Sequence, residues 1–414
     1  MPGKRLSLAM CVALFALSGS FLDAAVIVPF SPGTVAGRAP SSNPIKITSG
    51  GTYSGNWFSA DPNTPAITIS TAEPVVIQNA TISSRGDLIY LRGGNGGANV
   101  TVRNVIGKAL DPGIAGKPRG RFLYAYNANA ITVSHCTMSG VSFGVVIDGS
   151  NLTKLSISNN AANDMEDRAS DGLGGLMNKR PGLGHFVIIA HSVAVNGGDI
   201  SWNQVMDTEG KSSVEDVINI YVSHGSSKSD SIRIHDNYLQ GMFSPANSNN
   251  NYTGSGIMMD GLSNDLQTAT GFVTISNNQI VHTANAGIGI DAGHDVSVTN
   301  NSIVSCGMDS SGAWIATTSA VGVAMWNNYR SKIFFNNSIS STTGGLVRPD
   351  SSGNPQISNI WVPNKSITQN NSVGTNAFTN PCMGGGDDSL DPELQALAQW
   401  SAKLVSAAET VGAS

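Results

Sequence analysis

An apolar-alternating stretch that runs into an Asn-rich turn and ends on one more aliphatic residue recurs ten times between residues 75 and 373. The clearest copies are VTISNNQI (273–280), VSVTNNSI (296–303), IFFNNSI (333–339) and SITQNNSV (366–373). LSISNN (155–160) and IRIHDNYL (232–239) follow closely, and VVIQNATI (75–82), VTVRNVI (100–106), ITVSHCTM (131–138) and ISWNQV (200–205) are fainter copies. Aligning the second position of the Asn pair gives markers at 80, 104, 136, 160, 203, 237, 278, 301, 337 and 371, so the base period is 23–24 residues and longer intervals hold insertions. A period in that range predicts a solenoid. A second short strand precedes most copies, as in FGVVIDGS (143–150), VINIYVSHG (217–225), SGIMMDGLS (255–263) and AGIGIDAGH (286–294). Two alternating strands, an Asn turn and one more aliphatic position make one coil of an all-β parallel solenoid, with coils about 4.8 Å apart. Stacking places the Asn pairs in side-chain amide ladders, which are architectural rather than catalytic.

The same stacking puts equivalent residues of the preceding strand in a column. Its last position is expected to read Arg92, Tyr126, Asp148, His191, Ser223 with His224, Asp260, Asp291 and Trp326, with Tyr90, Tyr124 and Tyr221 two places earlier on the same face. The intervening positions are aliphatic, as a core requires. Asp260 and Asp291 should lie one rung apart, about 5 Å between Cα atoms. Two carboxyls that close repel, which raises one pKa and sets an acid beside a base or nucleophile. Asp260, Asp291 and Asp148 are therefore candidate catalytic carboxylates, with His224 and His294 to orient them. Tyr221, Trp326, His191, Tyr126 and Arg92 are candidate substrate contacts. The alternative for Asp148, Asp260 and Asp291, each followed by Gly or Ala, is that they shape strand-ending turns.

Composition fits this picture. Charged residues make up 12% of the chain and 47 of its 414 residues are Gly, as suits an aliphatic column with a Ser, Thr and Asn surface. The net charge of −5 does not suggest a nucleic-acid partner. Lys4, Arg5 and the apolar run Leu6–Leu17 read as a signal peptide over residues 1–25, so a protein secreted or periplasmic and off the membrane is expected. Residues 26–45 should cover the first rung, residues 46–380 form the β-helix as one domain, and residues 381–414 form a tail. Within that tail, SLDPELQALAQWSAKLVSAAETV (389–411) has Asp391 as N-cap and Pro392 at N1, and predicts a helix packed on the last rungs. Of the three cysteines beyond the leader, Cys306 and Cys382 can meet if the tail folds back, and Cys136 reads as a buried free thiol.

Long insertions follow the markers 160, 203, 237, 301 and 337, and such loops commonly carry function. They bring Lys179 and Arg180 as cations for an acidic sugar. They also bring Glu166, Asp167, Glu215 and Asp216 as weak oxygen ligands for Ca²⁺, the alternative being a solvated surface. No other cofactor is indicated; EF-hand, HExxH, P-loop and zinc spacings are absent.

The repeated strand and Asn-pair text behind a leader resembles the right-handed parallel β-helix superfamily, which includes pectate, alginate and chondroitin lyases, mannuronan epimerases, polygalacturonases and inulin fructotransferases. Ser223-His224-Gly225 and Arg233-Ile234-His235 only partly echo the polygalacturonase motifs, and Gly293-His294-Asp295 is a weak substitute for the epimerase signature. The resemblance implies a monomeric secreted enzyme acting on a polysaccharide or oligosaccharide. The modest basic content favours hydrolysis or glycosyl transfer by paired Asp. The alternatives are a Ca²⁺-dependent lyase or C5-epimerase on a uronate polymer, and a non-catalytic glycan-binding or adhesin-like β-helix.

Overall fold

The computed structural model describes residues 43–92, 97–177, 183–243, 253–363, 369–383 and 391–414. The leader, most of the 26–45 segment, and Lys179 with Arg180 lie outside the described residues. The remainder is a right-handed parallel β-helix. Eleven strands, from Ile45–Ile47 to Ile360–Trp361, stack in chain order as one parallel sheet. Among the described residues a further 24 strands complete the structure, nearly all in the other walls of the coil and one, Pro355–Ile357, added antiparallel. Alternation explains the arrangement: along Ile89–Arg92 and Leu123–Tyr126, Ile89, Leu91, Leu123 and Ala125 are fully buried while Tyr90, Arg92, Tyr124 and Tyr126 face outward. One apolar column runs from Ile47 to Ile339, and each fully buried aliphatic side chain contributes about 1.5–3 kcal/mol.

Each Asn pair divides into two roles. Its first residue adopts the left-handed conformation at successive rungs, with φ of 60° at Asn159, 58° at Asn277 and 54° at Asn300, a state Asn tolerates better than most residues. Its second residue turns inward, and Asn160, Asn203, Asn237, Asn278 and Asn301 form the ladder, each side-chain oxygen accepting from the rung before at 2.9–3.1 Å. Two expected markers are displaced. Asn104 belongs to the left-handed column, stacked on Asn79. Asn337 aligns with Val296, not Asn301, and starts a short second ladder to Asn371, while Thr342 continues the first toward Asn376. The residues 333–342 carry two turn phrases, and the pattern alone does not say which corner each serves. Cys136 fills a ladder position as a free buried thiol, its amide donating to Asn160 and burial pushing its pKa up to about 12.

The tail departs from expectation in its place. A helix forms over Asp391–Ala407, but it lies along the flank of the stack rather than over its last rungs. Trp400, 1% exposed, stacks against Tyr238 at 5.9 Å and Trp202 at 6.1 Å, and its Nε1 donates to Gln204. Those aromatics sit on middle rungs, and burying an indole there outweighs capping an edge. Glu393 bonds His282 and the Cys306 amide, and the Cys306–Cys382 disulfide ties down the segment before the helix.

His235 lies in a surface network on this flank, its Nε2 2.8 Å from Asp199 and its Nδ1 2.7 Å from Asp236, which also holds Lys403. Hydrogen bonds to Asp199 and then Asp236 raise its pKa to about 9, above the unfolded value of about 6.5. Its contribution is therefore fully present below about pH 6.5 and lost as pH rises through about 9. His235→Gln is expected to flatten the melting temperature across that interval; a parent and variant with parallel profiles there would refute the linkage.

Candidate functional site

The outward column of the eleven-stranded sheet follows from register. Arg92 pairs with Tyr126, Tyr126 with Asp148, Asp148 with Ala190, Ala190 with Tyr221, and Tyr221 with Asp260. Met259 pairs with Ile290 and Ile290 with Met325, so Asp260, Asp291 and Trp326 continue it on successive rungs. Tyr221 thus stands directly beside Asp260. The expected column is off by one residue at His191, where Ala190 holds the place, and by two or three at Ser223 and His224, where Tyr221 holds it, because a left-handed corner follows this strand at Asn127, Gly149, His191, Val222 and Gly261. His191 occupies the corner itself, with Nδ1 3.1 Å from Asp148 and its ring edge-on to Tyr221 at 5.4 Å. Asp148 lies three rungs, about 14 Å, from Asp260, so it is not part of the carboxyl pair.

The histidines do not orient that pair. His224 and His294 are both in register with Gly271 on the other sheet. The ring nitrogens of His224 face the carbonyls of Gly225 and Gln267 at 2.7 and 2.9 Å. His294 is 1% exposed, packed between Phe272 and Phe335 with Nδ1 on Asp295. Both are structural, since their strands turn them to a different wall of the coil.

Asp260 and Asp291 are brought together and made unequal. Asp260 Oδ1 accepts from the Gly261 amide at 2.8 Å and from the Tyr329 hydroxyl. Burial first, then the bond to Asp260, raise the Tyr329 pKa, so this phenol remains a donor. Asp291 is pushed up to about 7, first by burial and then by the charge of Asp260. One carboxyl is an acceptor held in place and the other is poised to give up a proton near neutrality.

Asp291 also lines a cavity of about 710 Å³ with Met258, Asn285, Trp326, Arg348 and Trp361. The Trp326 and Trp361 rings meet edge to face at 4.8 Å. Arg348 comes from an antiparallel hairpin, Thr343–Pro349 against Pro355–Ile357, closed by Asp350 accepting from the Ser352 and Asn354 amides at 2.8 Å. Its Nη1 donates to the Thr318 and Pro349 carbonyls, and its Nε is buried without a partner among the described residues. Cavity, paired carboxyls, indoles and one guanidinium suit a sugar with an acidic group.

The carboxylates proposed for Ca²⁺ part company. Glu166 is neutralised by Arg168 at 2.6 Å, and Asp167 accepts from the Gly184 amide. Glu215 and Asp216 cluster instead with His185, their ligand atoms all within 4.8 Å. Asp216 Oδ1 and Asn219 Oδ1 are buried with no hydrogen-bond partner among the described residues, although Asn219 Nδ2 donates to Asp216 Oδ2 at 2.9 Å. Burial, then Glu215 and Asp260, raise the Asp216 pKa well above the carboxylate range. A divalent cation fits the ligand atoms of His185, Glu215 and Asp216: it would lift that penalty and use the orphan Asp216 oxygen, and the imidazole widens the choice beyond Ca²⁺.

Tyr329, Arg348, Trp361 and His185 are site residues that sequence reasoning missed. The first three enter from segments outside the repeat phrase, and the only signal was the turn text RPDSSGNP (348–355). No family model matches the chain, and no curated protein matches it. Among solved structures, it is similar to a mannuronic acid specific polysaccharide family 6 lyase from human gut microbiota, with a TM-score of 0.36 and 10% identity over 90% of this chain and 91% of that one. It is also similar to a PL6 family polysaccharide lyase from Pseudopedobacter saltans, with a TM-score of 0.31 and 12% identity over 86% and 92%.

Proposed function

We propose that the chain is a carbohydrate-active enzyme that binds a polysaccharide lengthwise on the eleven-stranded face and cleaves a glycosidic bond at Asp260 and Asp291. The observation that carries this reading is Asp291, raised to about 7 beside an Asp260 already engaged as acceptor. Asp291 supplies the proton that the departing glycosidic oxygen needs, and Asp260, positioned by Gly261 and Tyr329, takes one up.

Arg348 in the same cavity makes elimination on a uronate unit the first reading. Asp260 removes the proton next to the sugar carboxylate, the C–O bond at the β carbon breaks, and Asp291 protonates the released oxygen. The Arg348 guanidinium offsets charge gathering on the sugar carboxylate. A cation held by Asp216, Glu215 and His185 would add positive charge within electrostatic reach of Asp260. Hydrolysis is the second reading, favoured by the two carboxyls on adjacent rungs: Asp260 then activates water or attacks the anomeric carbon while Asp291 protonates the same oxygen.

Incubation with polyuronates and neutral glycans, with and without chelator, followed by reducing ends and ultraviolet absorbance together, tests the proposal. Elimination is expected to give both signals on a polyuronate, and reducing ends alone would move the assignment to hydrolysis. Silence across the panel would overturn cleavage and leave a glycan-binding β-helix.

A further inference from the structure

At the opposite end of the same outward face, four side chains from two adjacent rungs form a square. Tyr90 is in register with Tyr124, and Arg92 with Tyr126. Residues two apart share a face, so all four project from it, while Ile89, Leu91, Leu123 and Ala125 anchor the strands from within. The Tyr90 and Tyr124 rings stack at 5.4 Å and 15°, and the four side chains enclose a recess of about 130 Å³. The square is braced from two sides. The Arg121 guanidinium lies 4.0 Å over the Tyr124 ring and is held by Asp87 at 2.6 Å. On the other side the Tyr126 ring lies over the corner at Gly149, where an added Cβ would come within 3.1 Å of it. Gly149 has φ of 56°, so this corner suits glycine both sterically and conformationally.

Arg92 is exposed and has no carboxylate partner among the described residues, unlike Arg121, Arg168 and Arg233, which each hold one. An unneutralised guanidinium rimmed by phenols matches an anionic sugar unit, carboxylated or sulfated: Arg binds the anion in its fork, and tyrosines offer ring surface and hydroxyls to the pyranose. The column leads from this square through Asp148 and Tyr221 to Asp260 and Asp291. That is five rungs from Tyr126 to Asp291, about 24 Å. A pyranose unit advances about as far as one rung.

Resting on the cleavage reading above, we infer that Tyr90, Arg92, Tyr124 and Tyr126 form a distal subsite for an acidic sugar unit, roughly five units along the chain from the bond cleaved.

The test is calorimetric binding to the full chain carrying Asp291→Asn, whose turnover is expected to be about 10²–10⁴-fold lower, so that little substrate is cleaved during the titration. Probes are tetramers and octamers of a polyuronate, a sulfated octamer and a neutral glucan octamer. An acidic octamer is expected to bind about tenfold tighter than the tetramer, the gain of one charge-assisted contact, and Arg92→Ala or Tyr126→Ala should remove that advantage. A preference for the carboxylated or the sulfated octamer names the anion, and either supports the subsite. Equal affinity for tetramer and octamer, an octamer affinity indifferent to Arg92→Ala, or a neutral octamer binding as tightly as the acidic ones would overturn it while leaving the Asp260 and Asp291 assignment intact. No binding by any probe would remove the cleavage reading and the subsite together.

Discussion

Replacing Asp291 with Asn is expected to lower the turnover number by about 10²–10⁴-fold, the usual loss when a positioned proton donor is removed. The variant keeps the shape of the side chain and its place beside Trp326 and Arg348, so affinity for substrate should change far less than turnover. The pH profile gives the sharper readout. Asp291 acts only while protonated, and its pKa lies at about 7, so parent activity should fall as pH rises through that value. In Asp291→Asn the residual rate should lose that limb. Tyr329→Phe removes one of the two donors to Asp260 and should cost activity without moving the Asp291 limb far, because burial is the larger cause of that shift. A variant at position 291 retaining more than about a tenth of parent turnover would sink the proton-donor role.

Asn237→Ala is expected to be the most damaging single change to the fold, at about 3–6 kcal/mol if two buried partners are stranded at ~1–3 kcal/mol each and amide packing is lost as well. Asn237 has no exposed surface. Its oxygen accepts from both the amide and the side chain of Asn203, and its Nδ2 reaches the Ile200 and His235 carbonyls and Asn278 at 2.9–3.0 Å. Alanine supplies none of these, and water cannot enter to replace them. A loss of that size is a large share of the 5–15 kcal/mol typical of a folded domain. Asn277→Ala is the matched control. That residue is exposed in the neighbouring left-handed column, and its replacement should cost about 1–2 kcal/mol from backbone strain. Equilibrium denaturation of the two variants tests the division of labour, and equal losses would show that inward and outward Asn positions are energetically alike.

The coil, its period and the carboxyl pair were legible because each is written in the repeat itself. Strand alternation and the Asn phrase locate most rungs, and Asp260 and Asp291 end strands of similar text. The register between rungs was less so. A left-handed residue after the strand can be Asn, Gly, His or Val, as Asn127, Gly149, His191 and Val222 show, so alignment by residue type put His191 in a column that belongs to Ala190. His224 and His294 looked catalytic because they follow candidate strands closely, yet the intervening corner carries them to another wall. Arg348 and Tyr329 could not be found by period at all. They arrive from a hairpin and a turn set between rungs, and what brings them to Asp260 and Asp291 is three-dimensional. The tail helix was visible from its spacing, but its berth depended on Trp202 and Tyr238, more than 150 residues earlier.

The flank-lying tail changes what kind of object the solenoid is. A stack in which each coil meets only its neighbours behaves as a one-dimensional array, free to fray from either end. Here the last residues run back across the array: Lys403 reaches Asp236, Glu409 and Gly412 meet Asn159, Ala413 meets Thr137 and Ser414 meets Asn104. Coils far apart in the array therefore share a common partner, and loosening one withdraws support from the others. The strap also lies C-terminal to every coil it touches, so coils that can assemble in order as the chain emerges are fastened to each other only after all of them have been made.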